Sequence, residues 1–332
     1  MKPSPFQRLQ TGFVSCLYAA GITALSAALI AAGTAAAQTP LRLIVGFPPG
    51  ATSDTMTRAI AEGMRAGFER PVIVENRPGG GGLAAALFVK AAAPDGNTLL
   101  MSPFGTMLQP HSVKAAQFNP LTDFAPVTQA ATFDIAFATG TNVPAASLQE
   151  FVALVKKDAK RGDFASAAAG SLPHFFALMF AKSAGIEMTH IPYKGTAPAI
   201  TATIAGEVSL LSTTSADIGA QVKAGRLRAL AVSSAQRSPV LPDTPTLKEA
   251  GYNIEGSAWY GFFAPAATPA DTVKKLHAAL AASIKSAATA ERMRNMGVDP
   301  TGTTPEAFAA ILKADYERWG AVIKASGFKA DE

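Results

Sequence analysis

The chain has 332 residues, 48% of them hydrophobic and 16% charged, with a formal net charge of +5. That balance can bury a large core in one or two domains and excludes a disordered chain. Lys and Arg are scattered, the densest group being Lys156, Lys157, Lys160 and Arg161 on one predicted helix, which argues against a nucleic-acid partner.

At the start, Lys2 and Arg8 precede an uncharged, alanine-rich run from about Gly12 to Ala32, and Ala35 and Ala37 form an Ala-x-Ala end. This is the pattern of a secretory signal peptide (1–37) cleaved near Ala37/Gln38, with export to the periplasm. The run is close to membrane-spanning length, but its Gly, Ser and Thr content and the Ala-x-Ala end favour cleavage over an uncleaved anchor. Cleavage would remove Lys2 and Arg8 and lower the net charge by two. It would also remove Cys16, the one cysteine, leaving no thiol chemistry and no cysteine-ligated metal.

Beyond the leader, apolar strand-like runs alternate with helical patterns. Strands are predicted at 41–47, 72–75, 98–102, 164–167, 189–192, 208–212 and 227–233. Such alternation specifies an α/β fold with largely parallel sheets. Met56, Ile60, Met64 and Phe68 recur every four residues as one buried helix face, with Arg58, Glu62 and Arg65 opposite. Ser147 and Glu150 form a capping box ahead of Phe151, Leu154 and Val155. Thr268-Pro269-Ala270-Asp271 starts a helix with Thr268 as cap and Pro269 in the first turn, and Val273, Leu276, Leu280 and Ile284 line its apolar stripe. A last helix carries Phe308, Leu312, Trp319 and Ile323. Two doubly wound domains fit this count better than one wide sheet. Extended segments at 133–139 and 259–264 are the candidate crossings, dividing a discontinuous first domain (38–138 and 260–332) from a continuous second one (139–259).

Polar loops follow several strands. Leu41 to Phe47 runs into Pro48-Pro49-Gly50-Ala51-Thr52-Ser53-Asp54, where a turn brings bare backbone to a helix start that favours an anion such as a carboxylate. Ordinary capping by Ser53 or Asp54 is expected at the same place. Glu75-Asn76-Arg77-Pro78 leads into four glycines, Gly79 to Gly82. Gly79-x-Gly81-x-x-Ala84 matches a relaxed dinucleotide fingerprint, but Asp95, at the distance of the required acid, sits in a Pro94-Asp95-Gly96 turn. A tight turn presenting N–H groups beside a cleft is the better reading. Ser166 to His174 joins a strand to a helix with Ser171 at its cap. His174 as a base for Ser171 would make a serine hydrolase, but the G-x-S-x-G elbow is absent.

His111, His174, His190 and His277 show no metal spacing, and His277, beside Lys274 and Lys275, reads as a surface residue. Lys194, following a strand, is placed to meet a carboxylate or to sit on the surface. Capping accounts for Asp54 and Asp217, and Asp134 reads as a solvated strand-edge residue. No catalytic set assembles, so the chain reads as a binder and not an enzyme, with no cofactor.

Several segments resemble the extracytoplasmic solute receptors of the tripartite tricarboxylate transporter family, also called Bug or TctC-like proteins. They are Gly46-Phe47-Pro48-Pro49-Gly50 with Asp54, Pro71 to Gly79, Pro94-Asp95-Gly96, Asp123-Phe124 with Pro126-Val127, Gly170-Ser171 with His174, and Ile191 to Gly195. Lys223 to Val232, Leu241 to Thr246, Trp259 with Gly261, and Ala264-Pro265 continue the match, in order, from about residue 41 to Phe328. The resemblance implies a Venus-flytrap receptor of the periplasmic binding protein type II kind, a monomer that captures a mono-, di- or tricarboxylate between its domains and delivers it to a membrane permease. A sensor that docks on a signalling protein is the alternative. By the same resemblance, Gly50, Ala51, Thr52, Asp54, Asn76 and Ser102 of the first domain and Ser166, Gly170, Ser171, Lys194 and Gly195 of the second would hold the ligand, with Phe104 and Phe133 as apolar walls. Ala51 stands where glycine is common, Thr132 to Ile135 lacks the usual proline, and Ser209 stands where aspartate is usual.

Overall fold

A computed structural model describes residues 39–65 and 67–329. The predicted signal peptide and its cleavage site lie outside them. The first elements are β1 (Leu41–Val45), α1 (Thr52–Met64), β2 (Val72–Asn76), α2 (Leu83–Lys90), β3 (Thr98–Pro103), α3 (Phe104–Leu108) and β4 (Phe124–Phe133). The middle of the chain contributes β5 (Ile135–Gly140), α4 (Leu148–Lys157), β6 (Asp163–Ser166), α5 (Leu172–Ala184), β7 (Thr189–Pro192), α6 (Thr196–Ala205), β8 (Leu210–Thr214), α7 (Ser215–Lys223) and β9 (Leu227–Val232). The last stretch holds β10 (Ala258–Pro265), α8 (Ala270–Lys285), α9 (Ala287–Asn295), β11 (Asp299–Pro300) and α10 (Pro305–Ser326). Among the described residues no helix is long and apolar enough to cross a membrane.

The strands form two sheets, one ordered β11-β4-β10-β3-β1-β2 and the other β7-β6-β8-β5-β9. Both are mixed, where largely parallel sheets were expected. β1 pairs parallel with β2 and β3, and β6 with β7 and β8, but β10 runs antiparallel to β3 and β4, and β5 antiparallel to β8 and β9. The cause lies in the strands that flank the crossings. β4 leaves the first sheet at Phe133, β10 returns beside it at Ala258, and the two pair antiparallel along their whole length.

Both crossings meet at one side chain. The Ser233 hydroxyl accepts from the Ile135 N–H (3.0 Å) and donates to the Gly256 carbonyl (2.7 Å), while the Ser233 backbone bonds the same two residues. Asp134, expected to be solvated, is instead buried between the sheets. Its carboxylate accepts from the hydroxyls of Ser215 and Ser238. Burial pushes this carboxyl above the ordinary aspartate range, against the hydrogen bond from Ser215.

The helices follow the periodicity of their sequence. Met56, Ile60 and Met64 are buried, as are Val273, Leu276, Leu280 and Ile284 of α8 and Phe308, Leu312, Trp319 and Ile323 of α10. α1 ends at Met64, so Phe68 packs from the following turn instead of the helix. α8 begins at Ala270 with Pro269 as its N-cap, and the buried Thr268 hydroxyl caps nothing. His277, expected on the surface, is half-buried, and burial lowers its pKa. α10 runs through one continuous core shared by both sheets: the Phe176 ring of α5 meets Trp319 edge-on at 4.8 Å, while Phe308 meets Trp259 edge-on at 5.0 Å. The second contact depends on a missing side chain, because a Cβ on Gly261 would lie 2.2 Å from Cζ of the fully buried Phe308. Gly261→Ala is therefore expected to cost about 1–3 kcal/mol by overpacking, read as a lower urea midpoint; an unchanged midpoint would show that Phe308 moves freely.

Candidate ligand-binding site

A cavity of about 460 Å³ opens between the two sheets where four helix starts meet. Ala51, Thr52 and Ser53 of α1, Ser171 and Pro173 of α5, Thr196 of α6, and Thr214, Ala216 and Asp217 of α7 line it. A helix start carries unpaired N–H groups and the positive end of the helix dipole, worth about 0.3–1 kcal/mol each to a nearby anion. Ser171 caps α5 and Thr214 caps α7, but no side chain caps α1 or α6. Capping by Ser53 or Asp54 is thus corrected: the N-cap of α1 is Ala51, and the helix start is left bare toward the cavity.

Asp54 has another task. Its carboxylate accepts from the Gly50 N–H (2.9 Å), the Asn76 amide (2.8 Å) and the Arg58 guanidinium (3.0 Å), and Asn76 also donates to the Phe47 carbonyl (3.0 Å). Burial alone would raise its pKa. Hydrogen bonds from Arg58, Gly50 and Asn76 outweigh that and hold it below the ordinary range. Asp54 and Asn76 accordingly fold the Pro-Pro-Gly loop and do not line the cavity.

The glycine run serves the same loop from behind. Gly79 to Gly82 all have positive φ, and a Cβ on Gly46 would lie 2.6 Å from Cα of Gly82, so two backbones touch there. The Gly80 and Gly81 carbonyls are held by Gln109 Nε2 and Thr106 Oγ1, each at 2.7 Å. A turn closed this way supports β1 and β3.

Other predicted residues scatter. Ala51, Thr52, Phe133 and Ser171 reach the main cavity, and Gly170 lines a smaller one beside it, which Ser171 also borders. Phe104 is fully buried and packs on Trp259 at 4.8 Å, in the core and not on a cleft wall. The buried Ser102 hydroxyl donates to its neighbour's carbonyl. Gly50 is an exposed turn residue bonded to Asp54. Lys194 is exposed, and neither it nor Gly195, whose N–H bonds the Ala167 carbonyl, is among the lining residues. Sequence reasoning missed Thr213, Thr214 and Tyr260, and Met296-Gly297-Val298 after α9. Thr213-Thr214-Ser215 has the same strand-to-helix hydroxyl pattern as the other loops and was findable; the Met-Gly-Val turn carries no polar signal. Asp217 does not cap α7. It accepts from Thr213 Oγ1 (2.9 Å) and faces the cavity. Burial, then Asp217, raises the Tyr260 pKa, so the phenol stays a neutral donor.

Behind the second-lobe loop lie two stacked imidazoles, His174 and His190, with ring centres 4.0 Å apart. His174 Nδ1 accepts from the Gly170 N–H (3.1 Å), and His190 Nε2 lies 2.8 Å from the buried Ser166 hydroxyl. Burial, with His190 adding to it for His174, pulls each pKa down to about 4. The Ser171 hydroxyl donates to the Ala168 carbonyl and accepts from the His174 backbone N–H, so no imidazole nitrogen is hydrogen-bonded to it as a base would be. The donors here fix a loop.

The family model described as tripartite tricarboxylate transporter family receptor matches residues 56–328. The chain belongs to that receptor family. It is 30% identical over 314 residues to Protein BugT of Bordetella pertussis, covering 92% of this chain and 95% of BugT. Among solved structures, the periplasmic binding protein BugD superposes with a TM-score of 0.75 at 31% identity, over 89% of this chain and 99% of BugD. Rpa4515 of R. palustris, solved with adipate, superposes with a TM-score of 0.77 at 29% identity, covering 88% of this chain and 99% of that one. The two-sheet α/β architecture is therefore that of the family's periplasmic binding proteins.

Proposed function

We propose that the mature protein is a periplasmic receptor that captures a small carboxylate in the cavity between its sheets and hands it to the membrane permease of a tripartite transporter. The convergence of four helix starts on one cavity carries this reading. Adipate on a relative with the same fold supports it. A carboxylate set there would receive backbone N–H groups of α1 and the hydroxyls of Thr52 and Thr214, with Ser171 fixing the loop beside them through its bond to the Ala168 carbonyl. Charge-assisted hydrogen bonds contribute about 1.5–3 kcal/mol each, so three or four support micromolar binding, about 8 kcal/mol, after association costs. That β5 pairs only within the second sheet and β10 only within the first supports a division of the domains near Asp134 and Ala258, a few residues from the boundaries at 138 and 260. Ligand bridging both lobes would favour a closed form that a permease recognises.

Calorimetry of the purified protein against mono-, di- and tricarboxylates tests the reading, and binding of none would refute it. Thr52→Ala with Ser171→Ala is expected to weaken binding about 10- to 30-fold. Unchanged affinity would move the site elsewhere.

A further inference from the structure

The cleft has a second chamber. A cavity of about 280 Å³ adjoins the first and shares Phe47, Pro103 and Ser171 with it. Leu108, Val113, Leu172, Phe175 and Phe328 supply much of its wall. Of its side-chain donors Thr106 is engaged with Gly81 and Gln109 with Gly80, which leaves the Ser112 hydroxyl. Gln109 Oε1 is buried without a partner, so this side chain offers the chamber no further donor. Among the described residues lining either chamber there is no Lys, Arg or His, and the one ionisable carboxylate is Asp217.

Taking the carboxylate reading of the front chamber as given, we propose that the ligand is a monocarboxylic acid with an apolar tail. Its carboxylate lies among the helix starts and its tail fills the rear chamber. A second carboxylate would find no cation, would face Asp217 in front or a largely apolar wall with one free hydroxyl, Ser112, behind, and would lose most of its hydration without replacement. A hydrocarbon tail loses nothing there. The chamber exceeds the roughly 150 Å³ that admits benzene in an apolar cavity, and each methylene buried is expected to tighten binding about fourfold. Specificity would then come from an apolar volume behind an anion grip that recognises one charge.

Calorimetry with propanoate, hexanoate, 3-phenylpropanoate, adipate and citrate tests this. Hexanoate and 3-phenylpropanoate are expected to bind at least 30-fold more tightly than propanoate and at least 10-fold more tightly than adipate, with citrate weakest. Gly105 offers a way to fill the chamber: it lines the wall, and a Cβ there meets nothing within 4 Å. Gly105→Leu, checked for an unchanged melting curve, is expected to cut the hexanoate-to-propanoate affinity ratio at least tenfold. Adipate or citrate binding as tightly as hexanoate, or a ratio unmoved by Gly105→Leu, overturns the proposal while leaving the carboxylate reading intact. If no acid of the panel binds, the carboxylate reading falls, and the tail assignment falls with it.

Discussion

Asp54→Ala is expected to weaken carboxylate binding about 100-fold and to cost about 2–4 kcal/mol of stability, the largest loss from any single side chain around the cleft. The carboxylate is buried and holds three donors from three parts of the chain: Gly50 in the loop, Arg58 one turn along α1, and Asn76 at the end of β2. Removing it leaves the Gly50 N–H and one Asn76 bond without an acceptor and frees the turn that positions the start of α1. Arg58 is half exposed and can return to water, so its share of the loss is small. Asp54→Asn keeps the shape but turns one acceptor into a donor, and should fall between wild type and alanine. Urea unfolding and calorimetry on the three proteins check this. A loss of stability without a loss of affinity would show that the loop is not what sets the anion grip.

The stacked histidines make stability depend on mild acid. Their folded pKa values are pulled to about 4, below the ordinary 6.5 that they regain on unfolding. Between those values the unfolded chain binds more protons than the folded one, so stability falls as pH drops from 6.5 towards 4 and is complete above 6.5. At about 1.4 kcal/mol per tenfold change in proton affinity, His174 contributes roughly 3 kcal/mol over that window, and the half-buried His190 contributes less. The groups packed on the pair are Phe164, Phe175, Phe328 and the Ser166 hydroxyl, none of which carries a charge to favour the imidazolium. Melting temperatures measured from pH 7 to 4.5 should fall more steeply for the wild type than for His174→Gln with His190→Gln, in which the half-buried His111 and His277 remain. A wild-type curve flat over that window would contradict the burial of the pair. Asp54 and Glu75, held below their ordinary values of 3.8 and 4.5, lose their contribution as pH falls towards 4, and Asp134, raised by burial, acts the other way; both proteins share these groups, so the difference between the two curves reads the histidine pair.

Much of the fold was legible because its cause is local. Thr189–Pro192 forms the predicted strand residue for residue, and Ser147 and Ser171 cap their helices as read, although the Glu150 carboxylate accepts from the Ala146 N–H, one residue before the cap, instead of from Ser147 as a capping box would have it. What stayed hidden depends on partners far away in the chain. β4 was not predicted as a ten-residue strand: it contains Pro126 and the buried polar residues Thr128 and Gln129, satisfied by Thr303 some 175 residues on. Asp134 looked solvated because the two serines that accompany it into the interior lie 81 and 104 residues away. In the candidate site, hydroxyl-bearing strand ends marked the front chamber. The rear chamber is hydrocarbon drawn from α3, α5 and the C-terminal turn, and hydrocarbon reads simply as core.

The serine between the two crossings has a mechanical meaning. Two separate connectors would let the lobes shear, splay or twist with several degrees of freedom. Here Ile135 on the outgoing strand and Gly256 before the returning one are bonded to the same residue, by its side chain and its backbone together. The connectors are thus riveted to each other at Ser233, and with α10 packed on Phe176 at one end and Trp259 at the other, the lobes are tied at two separate places.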